Sequence, residues 1–193
     1  SICCGSIEKF GTEEQKQEFL VPMAGGEFIG AFALTEPEAG SDAQALSCSA
    51  ERDGDFYVLN GTKRFITSGQ NGGVVLVLAR TKPTGSDGIT AFLVTHDMPG
   101  FKVDKVENKM GQCASDTVDL VFANCKVPAS RMLGKEGEGF TVAMSGLDAG
   151  RIGIAAQALG IAQGAVDGAI AYAKKKIFDG KPVANRQGVQ FML

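Results

Sequence analysis

The chain has no tryptophan, two tyrosines and a single histidine, His96, in 193 residues. One histidine cannot build a His-rich metal cluster. His96 stands beside Asp97 and Pro99 in a turn-like stretch, so a Ser-His-Asp hydrolase triad has no independent support either. Charge of one sign is never concentrated: the net charge is -3 with no long run. That gives no reason to expect nucleic acid or an anionic membrane as partner. No uninterrupted apolar run reaches the roughly 18 residues of a bilayer span. No basic-then-apolar leader opens the chain. The five cysteines, Cys3, Cys4, Cys48, Cys113 and Cys125, are odd in number and irregular in spacing. They fit reduced, non-ligating thiols and an intracellular compartment rather than a disulfide framework. The chain opens on Ser1 in what reads as mid-domain sequence. It ends on Gln187–Leu193, an apolar helical pattern without a stop signal. Truncation at both ends is therefore expected.

What is present is enough apolar material, 44% of residues, for one packed core or one domain plus part of another. The first segment reads as helix. Thr12 and Gln15 fit a capping box, and Pro22 is expected to stop the run. From Phe28 to about Val127, short β-rich runs alternate with turn signals. The runs are Phe28–Leu34, Ala45–Glu51, Phe56–Leu59, Lys63–Thr67, Val74–Ala79, Thr90–Val94, Phe101–Val106 and Val118–Phe122. The punctuation is Asp53-Gly54, Asn60-Gly61, Asp87-Gly88 and Pro99-Gly100. This spacing, with no long helix between runs, predicts an antiparallel barrel or sandwich. Beyond Pro128, helical three-and-four spacing runs from Ile152 to Ile177, with a break expected near Gly146-Leu147-Asp148 and Asp148 as N-cap. The Ala and Gly on several faces of this helix suit the interior of a bundle, or an oligomer interface. Lys174, Lys175 and Lys176 suit its negative end.

Two glycine-containing segments invite a ligand reading. Gly134-Lys135-Glu136-Gly137-Glu138-Gly139 lacks the third glycine of a dinucleotide fingerprint, because position 142 is Val. No Gly-Lys-Ser/Thr follows, so a flexible connection is the better reading. Thr35-Glu36-Pro37-Glu38-Ala39-Gly40-Ser41-Asp42 is different. It ends a β run in exposed amides and small hydroxyls, a surface suited to the polar edge of a flat heterocycle. An ordinary Pro-Gly turn would look the same on composition alone.

Residues Ala33 to Asp42 resemble the signature of the acyl-CoA dehydrogenase family almost position for position. Other segments match in order: Phe10–Lys16, Asn60–Lys63 with Phe65–Ser68, Lys109-Met110-Gly111, Cys125–Pro128 and Leu147–Ile152. The resemblance covers nearly the whole chain. It implies an α+β multidomain fold: the end of an N-terminal helical domain (1–27), an antiparallel β-barrel middle domain (28–130) and the start of a C-terminal helical bundle (131–193). It implies FAD as cofactor, an acyl-CoA substrate oxidised to the trans-2-enoyl-CoA, and an electron-transferring flavoprotein as acceptor. A homo-oligomer, a tetramer in the whole protein, is implied too, as is a place in fatty acid β-oxidation. The location would be a bacterial cytoplasm or a mitochondrial matrix. The flavin carries the redox chemistry, and the protein supplies orientation and electrostatics.

Carried over by resemblance, Phe32 to Ser41 would lie along the flavin, with the backbone of Ala33 and Leu34 and the hydroxyl of Thr35 at its pyrimidine edge and Gly40 close by. Thr67 would bond near N5, and Ile66 would contact the ring. Phe65 stands where Trp is common, keeping an aromatic wall without the indole donor. Ser41 would also touch the pantetheine arm. Ser115 would lie towards the CoA nucleotide, and Asp148 and Arg151 would border the thioester end and CoA. A helix cap and a bundle salt bridge are the plainer readings of those last two. Lys176 stands where the family has Arg, and Asp179 where it has Phe, in a contact to the flavin nucleotide of a neighbouring subunit. Lys keeps the charge but loses the bidentate fork. Arg186 and Gln187 are further candidates for that contact.

No catalytic residue is assigned. A minority of the family carry the proton-abstracting Glu one residue before the Arg of Leu147–Ile152, and here that residue is Gly150. The base is expected beyond Leu193, and the 193-residue chain alone is expected not to turn over. The leading reading is a short- or medium-chain acyl-CoA dehydrogenase. A flavin oxidase or monooxygenase of the same fold, and a non-catalytic acyl-CoA-binding relative, are the alternatives.

Overall fold

Two adjacent segments, Val74–Arg80 and Ile89–Val94, are apolar at nearly every position and buried throughout apart from Arg80. A strand with two apolar faces needs cover on both, and the computed structural model, which describes residues 2–193, supplies it. These segments are β4 and β5 of an eight-stranded sheet. The other strands are β1 (Gly30–Ala33), β2 (Ser49–Asp53), β3 (Phe56–Thr67), β6 (Phe101–Val106), β7 (Thr117–Pro128) and β8 (Met132–Leu133). Their order is β6-β7-β3-β2-β4-β5-β8, with β1 also on β4. On one face Val75, Val77, Phe92 and Val94 join Ala33, Tyr57, Leu59, Ile66, Leu120 and Val127, so the sheet curls round a single core. On the other face Val74, Leu76, Leu78 and Leu93 pack on Ile7, Phe19, Met23, Val142 and Ala143 from helices.

The sheet is antiparallel except where β1 runs parallel to β4, Gly30↔Val74 to Ala33↔Val77, and β2 meets β4 in parallel at Ser49↔Arg80. The expected all-antiparallel ladder is corrected there. The long connection carrying β2 and β3 gives β1 room to lie alongside β4 in the same direction.

Asn60-Gly61 is a second correction. It is not a turn: β3 runs unbroken through it, with a bulge between Leu59 and Gly61 against β7. The bulge needs glycine. Gly61 has φ 147°, and a Cβ there would stand 2.8 Å from Cys48 Cα. Asn60 Oδ1 accepts the Asn124 N–H at 2.8 Å, closing the gap in the ladder.

Ahead of the sheet, α1 (Ile2–Phe10) is followed by the expected capping box: Thr12 and Gln15 exchange bonds of 3.2 and 3.3 Å. Pro22 does not end the run. A π-helical turn over Lys16–Leu20 shifts the ladder, and Pro22 falls at the second residue of α3 (Val21–Gly25), where its missing N–H costs nothing. Here α2 denotes the single turn Glu13–Gln15.

The long helix α4 spans Gly139–Lys175 without the expected break, so Asp148 is an interior helical residue and not a cap. Gly146 is explained by packing instead. A Cβ there would come within 2.7 Å of Ile2 Cγ2 on α1. Close approach of two helices offsets the roughly 1 kcal/mol that glycine costs a helix. By length and composition α4 also passes for a membrane span, its best window averaging a mean hydropathy of 1.2.

The chain divides into two compact units, residues 1–148 and 149–193. In the second, α4 ends at Lys175, and β9 (Ile177–Phe178) pairs with β10 (Lys181–Pro182) across an Asp179-Gly180 turn. Both turn residues have positive φ, as a two-residue hairpin requires. The short α5 (Gln187–Gln190) follows.

Candidate functional site

The end of β1 and the middle of β3 are joined by backbone. Arg64 N–H donates to the Thr35 carbonyl at 2.8 Å. This bond brings together the two segments that the sequence placed along one heterocycle. Ala33 and Leu34 turn their side chains into the two cores, so they offer backbone only. Phe32 is half-buried against the second core, and Thr35 is half-buried at the rim.

Past Thr35 the chain makes a tight turn, with Glu36 and Ala39 exchanging N–H···O bonds of 2.9 and 3.2 Å. Gly40 and Ser41 follow, exposed. The turn hangs on Glu36, whose side chain is only 4% exposed. Its carboxylate accepts from Lys63 Nζ at 2.7 Å, Ser47 N at 2.7 Å, Ser47 Oγ at 2.9 Å and Cys48 N at 3.0 Å. Burial pushes this carboxyl upwards, but Lys63 and the N–H donors outweigh burial and hold it below its ordinary value. Arg80 fastens the other end of the loop by donating to the carbonyls of Gln44 at 2.6 Å and Leu46 at 3.0 Å.

On β3 a second bulge, between Lys63 and Ile66, throws Phe65 outwards. Phe65 has φ 58° and is 58% exposed. A bulky residue in the left-handed region is held there against its own preference. The holding group is Asp119 of β7, itself buried, which accepts from the Phe65 N–H at 3.3 Å and Arg64 Nε at 3.2 Å. Ile66 points the other way, into the core at 2% exposure. The Ile66 side chain is therefore turned away from the expected ring contact. Thr67 is exposed and pairs with Thr117.

Ser115 lies two residues before Thr117, on a loop tied back to this rim. Lys109 Nζ reaches the Ser115 carbonyl, and also Thr117 Oγ1 at 2.8 Å. Asp116 accepts from Gln70 N at 2.8 Å and Asn71 Nδ2 at 3.0 Å, and its own carbonyl accepts from Ser68 N at 3.0 Å. Ser115 thus stands close along the chain to Thr67's partner strand. His96, exposed, has Nε2 2.9 Å from the Gly69 carbonyl and its ring edge-on to Phe101.

Asp148, at the end of the first unit, and Arg151, near the start of the second, are both exposed. In the second unit, Lys176 and Gln187 are exposed, and Arg186 is engaged locally. Its guanidinium lies 4.3 Å above the Phe178 ring and 3.2 Å from Asp179 Oδ2. Asp179, which replaces the expected aromatic, forms the hairpin turn and neutralises Arg186. Burial raises the thiols of Cys48 and Cys125 to about 11 and of Cys3 to about 12, which makes all three poor nucleophiles.

Glu36, Lys63, Asp119 and Arg80 were not singled out from sequence. One signal existed. Extending the inward alternation of Tyr57 and Leu59 along β3 puts Lys63 on the core side, and a lysine there needs a carboxylate partner.

The rim of exposed Phe65, Thr67 and half-buried Thr35 combines an aromatic wall with backbone and hydroxyl groups, a donor set that fits the polar edge and face of a flavin.

Comparison with known proteins identifies the family. Residues 31–125 match the acyl-CoA dehydrogenase middle domain, and residues 137–193 match the acyl-CoA dehydrogenase C-terminal domain. The chain is 50% identical over 194 residues to the short-chain specific acyl-CoA dehydrogenase of Clostridium acetobutylicum, covering 100% of this chain and 51% of that protein. Among solved structures, one described under the electron transferring flavoprotein of Acidaminococcus fermentans superposes with a TM-score of 0.94 at 50% identity, covering 98% of this chain and 50% of that one. A glutaryl-CoA dehydrogenase from Mycobacterium smegmatis in complex with FADH2 gives a TM-score of 0.90 at 40% identity, covering 98% and 48%. The chain spans about half the length of the curated relatives it matches.

Proposed function

The chain belongs to the acyl-CoA dehydrogenase family, and from that premise we propose that residues 32–41 and 65–67 cradle FAD in an enzyme that oxidises a short- or medium-chain acyl-CoA to the trans-2-enoyl-CoA. The observation that carries this reading is the Arg64 N–H to Thr35 carbonyl bond, which holds both segments at one rim. In the proposal, the backbone at Ala33 and Leu34 and the Thr35 hydroxyl serve the pyrimidine edge. Phe32 and Gly40 border it, and Phe65 walls one face. Thr67 faces N5, with Ile66 beside it in the same segment. Ser41 meets the pantetheine arm and Ser115 the CoA nucleotide. Asp148 and Arg151 border the thioester end and CoA. Lys176, Arg186 and Gln187 serve the flavin nucleotide of a neighbouring subunit in a homotetramer.

Bound there, FAD would supply the hydride acceptor for Cβ of the substrate. The protein's own part is orientation, because buried Asp119 holds Phe65 and buried Glu36 holds the turn that follows Thr35. No proton-abstracting role falls to Gly150, which has no side chain. Electrons would pass to an electron-transferring flavoprotein, in a bacterial cytoplasm or a mitochondrial matrix.

Anaerobic addition of butyryl-CoA to the FAD-loaded whole protein tests the reading. Loss of the flavin's visible band with formation of crotonyl-CoA is expected, and reoxidation by an artificial acceptor should outpace peroxide formation in air. A protein that takes up no FAD, or whose flavin stays oxidised with every acyl-CoA from C4 to C8, would overturn it.

A further inference from the structure

Lys63 is completely buried, and among the described residues its Nζ donates to two oxygens: Glu36 Oε1 at 2.7 Å and the Leu34 carbonyl at 3.1 Å. A buried ion pair adds little stability over two well-packed apolar side chains. Its presence here calls for another use, and the second contact supplies one.

The Leu34 carbonyl belongs to the peptide joining Leu34 to Thr35, and every described peptide bond is trans. In a trans peptide the C=O and the following N–H point to opposite sides. By pinning the Leu34 oxygen inwards, Lys63 turns the Thr35 N–H outwards, to the rim that Phe65 and Thr67 share. The next carbonyl, that of Thr35, is pinned separately by the Arg64 N–H at 2.8 Å. Both ends of the Thr35 residue are therefore fixed, one by a side chain and one by backbone. Glu36 keeps the Lys63 side chain in place, and is itself held by Ser47 and Cys48.

The geometry points to Lys63 and Glu36 as positioning residues that aim the Thr35 N–H at the polar edge of the bound flavin. This rests on the flavin reading above. Neither residue touches the cofactor. An apolar pair of the same volume would hold the strands together but leave the Leu34–Thr35 peptide free to rotate.

The test uses the whole protein and begins with FAD titration of the parent. If the parent binds no FAD, the flavin reading fails and this inference with it. If the parent binds, Lys63→Met and Glu36→Gln are compared with the double variant, which leaves no unpaired buried charge. The double variant is expected to melt close to the parent, to bind FAD at least tenfold more weakly and to show a shifted flavin visible band. A double variant with parental melting, affinity and spectrum would overturn the positioning role while leaving the flavin reading intact. Should the double variant not fold, amide hydrogen exchange on the parent decides. At least tenfold slowing at Thr35 on adding FAD supports the inference, and an unchanged Thr35 rate overturns it.

Discussion

Phe65 shows most clearly how a single residue is bent to a purpose. Its backbone sits at φ 58°, which costs a non-glycine residue about 1–2 kcal/mol, and its ring is turned into solvent. Asp119 bears the strain by accepting the Phe65 N–H. A residue held so against preference, with nothing buried in return, is placed for something outside the chain. Phe65→Gly should therefore leave thermal stability unchanged or raise it by about 1 kcal/mol, while weakening FAD binding. Melting curves and a flavin titration on one preparation check both halves. A variant that loses stability and keeps full affinity would show that Phe65 is structural. The same scale holds what sequence reading missed. Glu36 and Lys63 lie 27 residues apart, and no local pattern marks them as partners. Their pairing becomes visible only when the chain leaving β1 meets the middle of β3. Thr35, Phe65 and Thr67 each lie inside a motif that is read locally, and the structure brings their segments to one rim. The inward direction of the Ile66 side chain depends on the bulge before it, which no local pattern marks.

At the scale of elements, what was legible followed from periodicity and what was not followed from packing. Most of the strands were located, because apolar alternation and Asp53-Gly54 or Pro99-Gly100 punctuation are local signals. Asn60-Gly61 has the composition of a hairpin turn, yet it lies in a 12-residue strand. What decides is the close approach of Cys48, which only a glycine permits. Gly61→Ala should destabilise the chain by about 2 kcal/mol, from overpacking and an unfavourable φ together. Urea unfolding followed by circular dichroism measures it, and a loss below about 0.5 kcal/mol would mean that the strands shift freely. Gly146 teaches the same lesson for helices. It was expected to break α4, and instead it lets α4 pass close to α1, so tertiary contact overrides propensity. Pro22 stays inside a helical run because a π-helical turn prepares a position for it.

For the whole molecule, the informative feature of the second unit is exposed apolar surface. Ile152, Ile154, Leu159 and Ile161 are each 65–76% exposed on α4, and Phe191 and Met192 are exposed near the end. Ile152 and Leu159 share one side of the helix and Ile154 and Ile161 the opposite side, and monomeric soluble proteins rarely expose so much apolar surface on one element. The 193-residue chain should therefore associate, with sedimentation velocity showing species larger than the 20.1 kDa monomer at micromolar concentration. A single monomeric boundary would contradict this. The first unit is different in kind: among its described residues the buried charges, Glu36, Lys63 and Asp119, hold a rim in place, and the rim faces outwards. The account stands or falls on what binds at that rim. A crystal structure of the FAD-loaded protein measures it most directly. The account predicts the Thr35 nitrogen at about 3 Å from a heteroatom of the flavin's pyrimidine edge, with the Phe65 ring against the flavin. Flavin bound elsewhere, touching neither Thr35 nor Phe65, would contradict it.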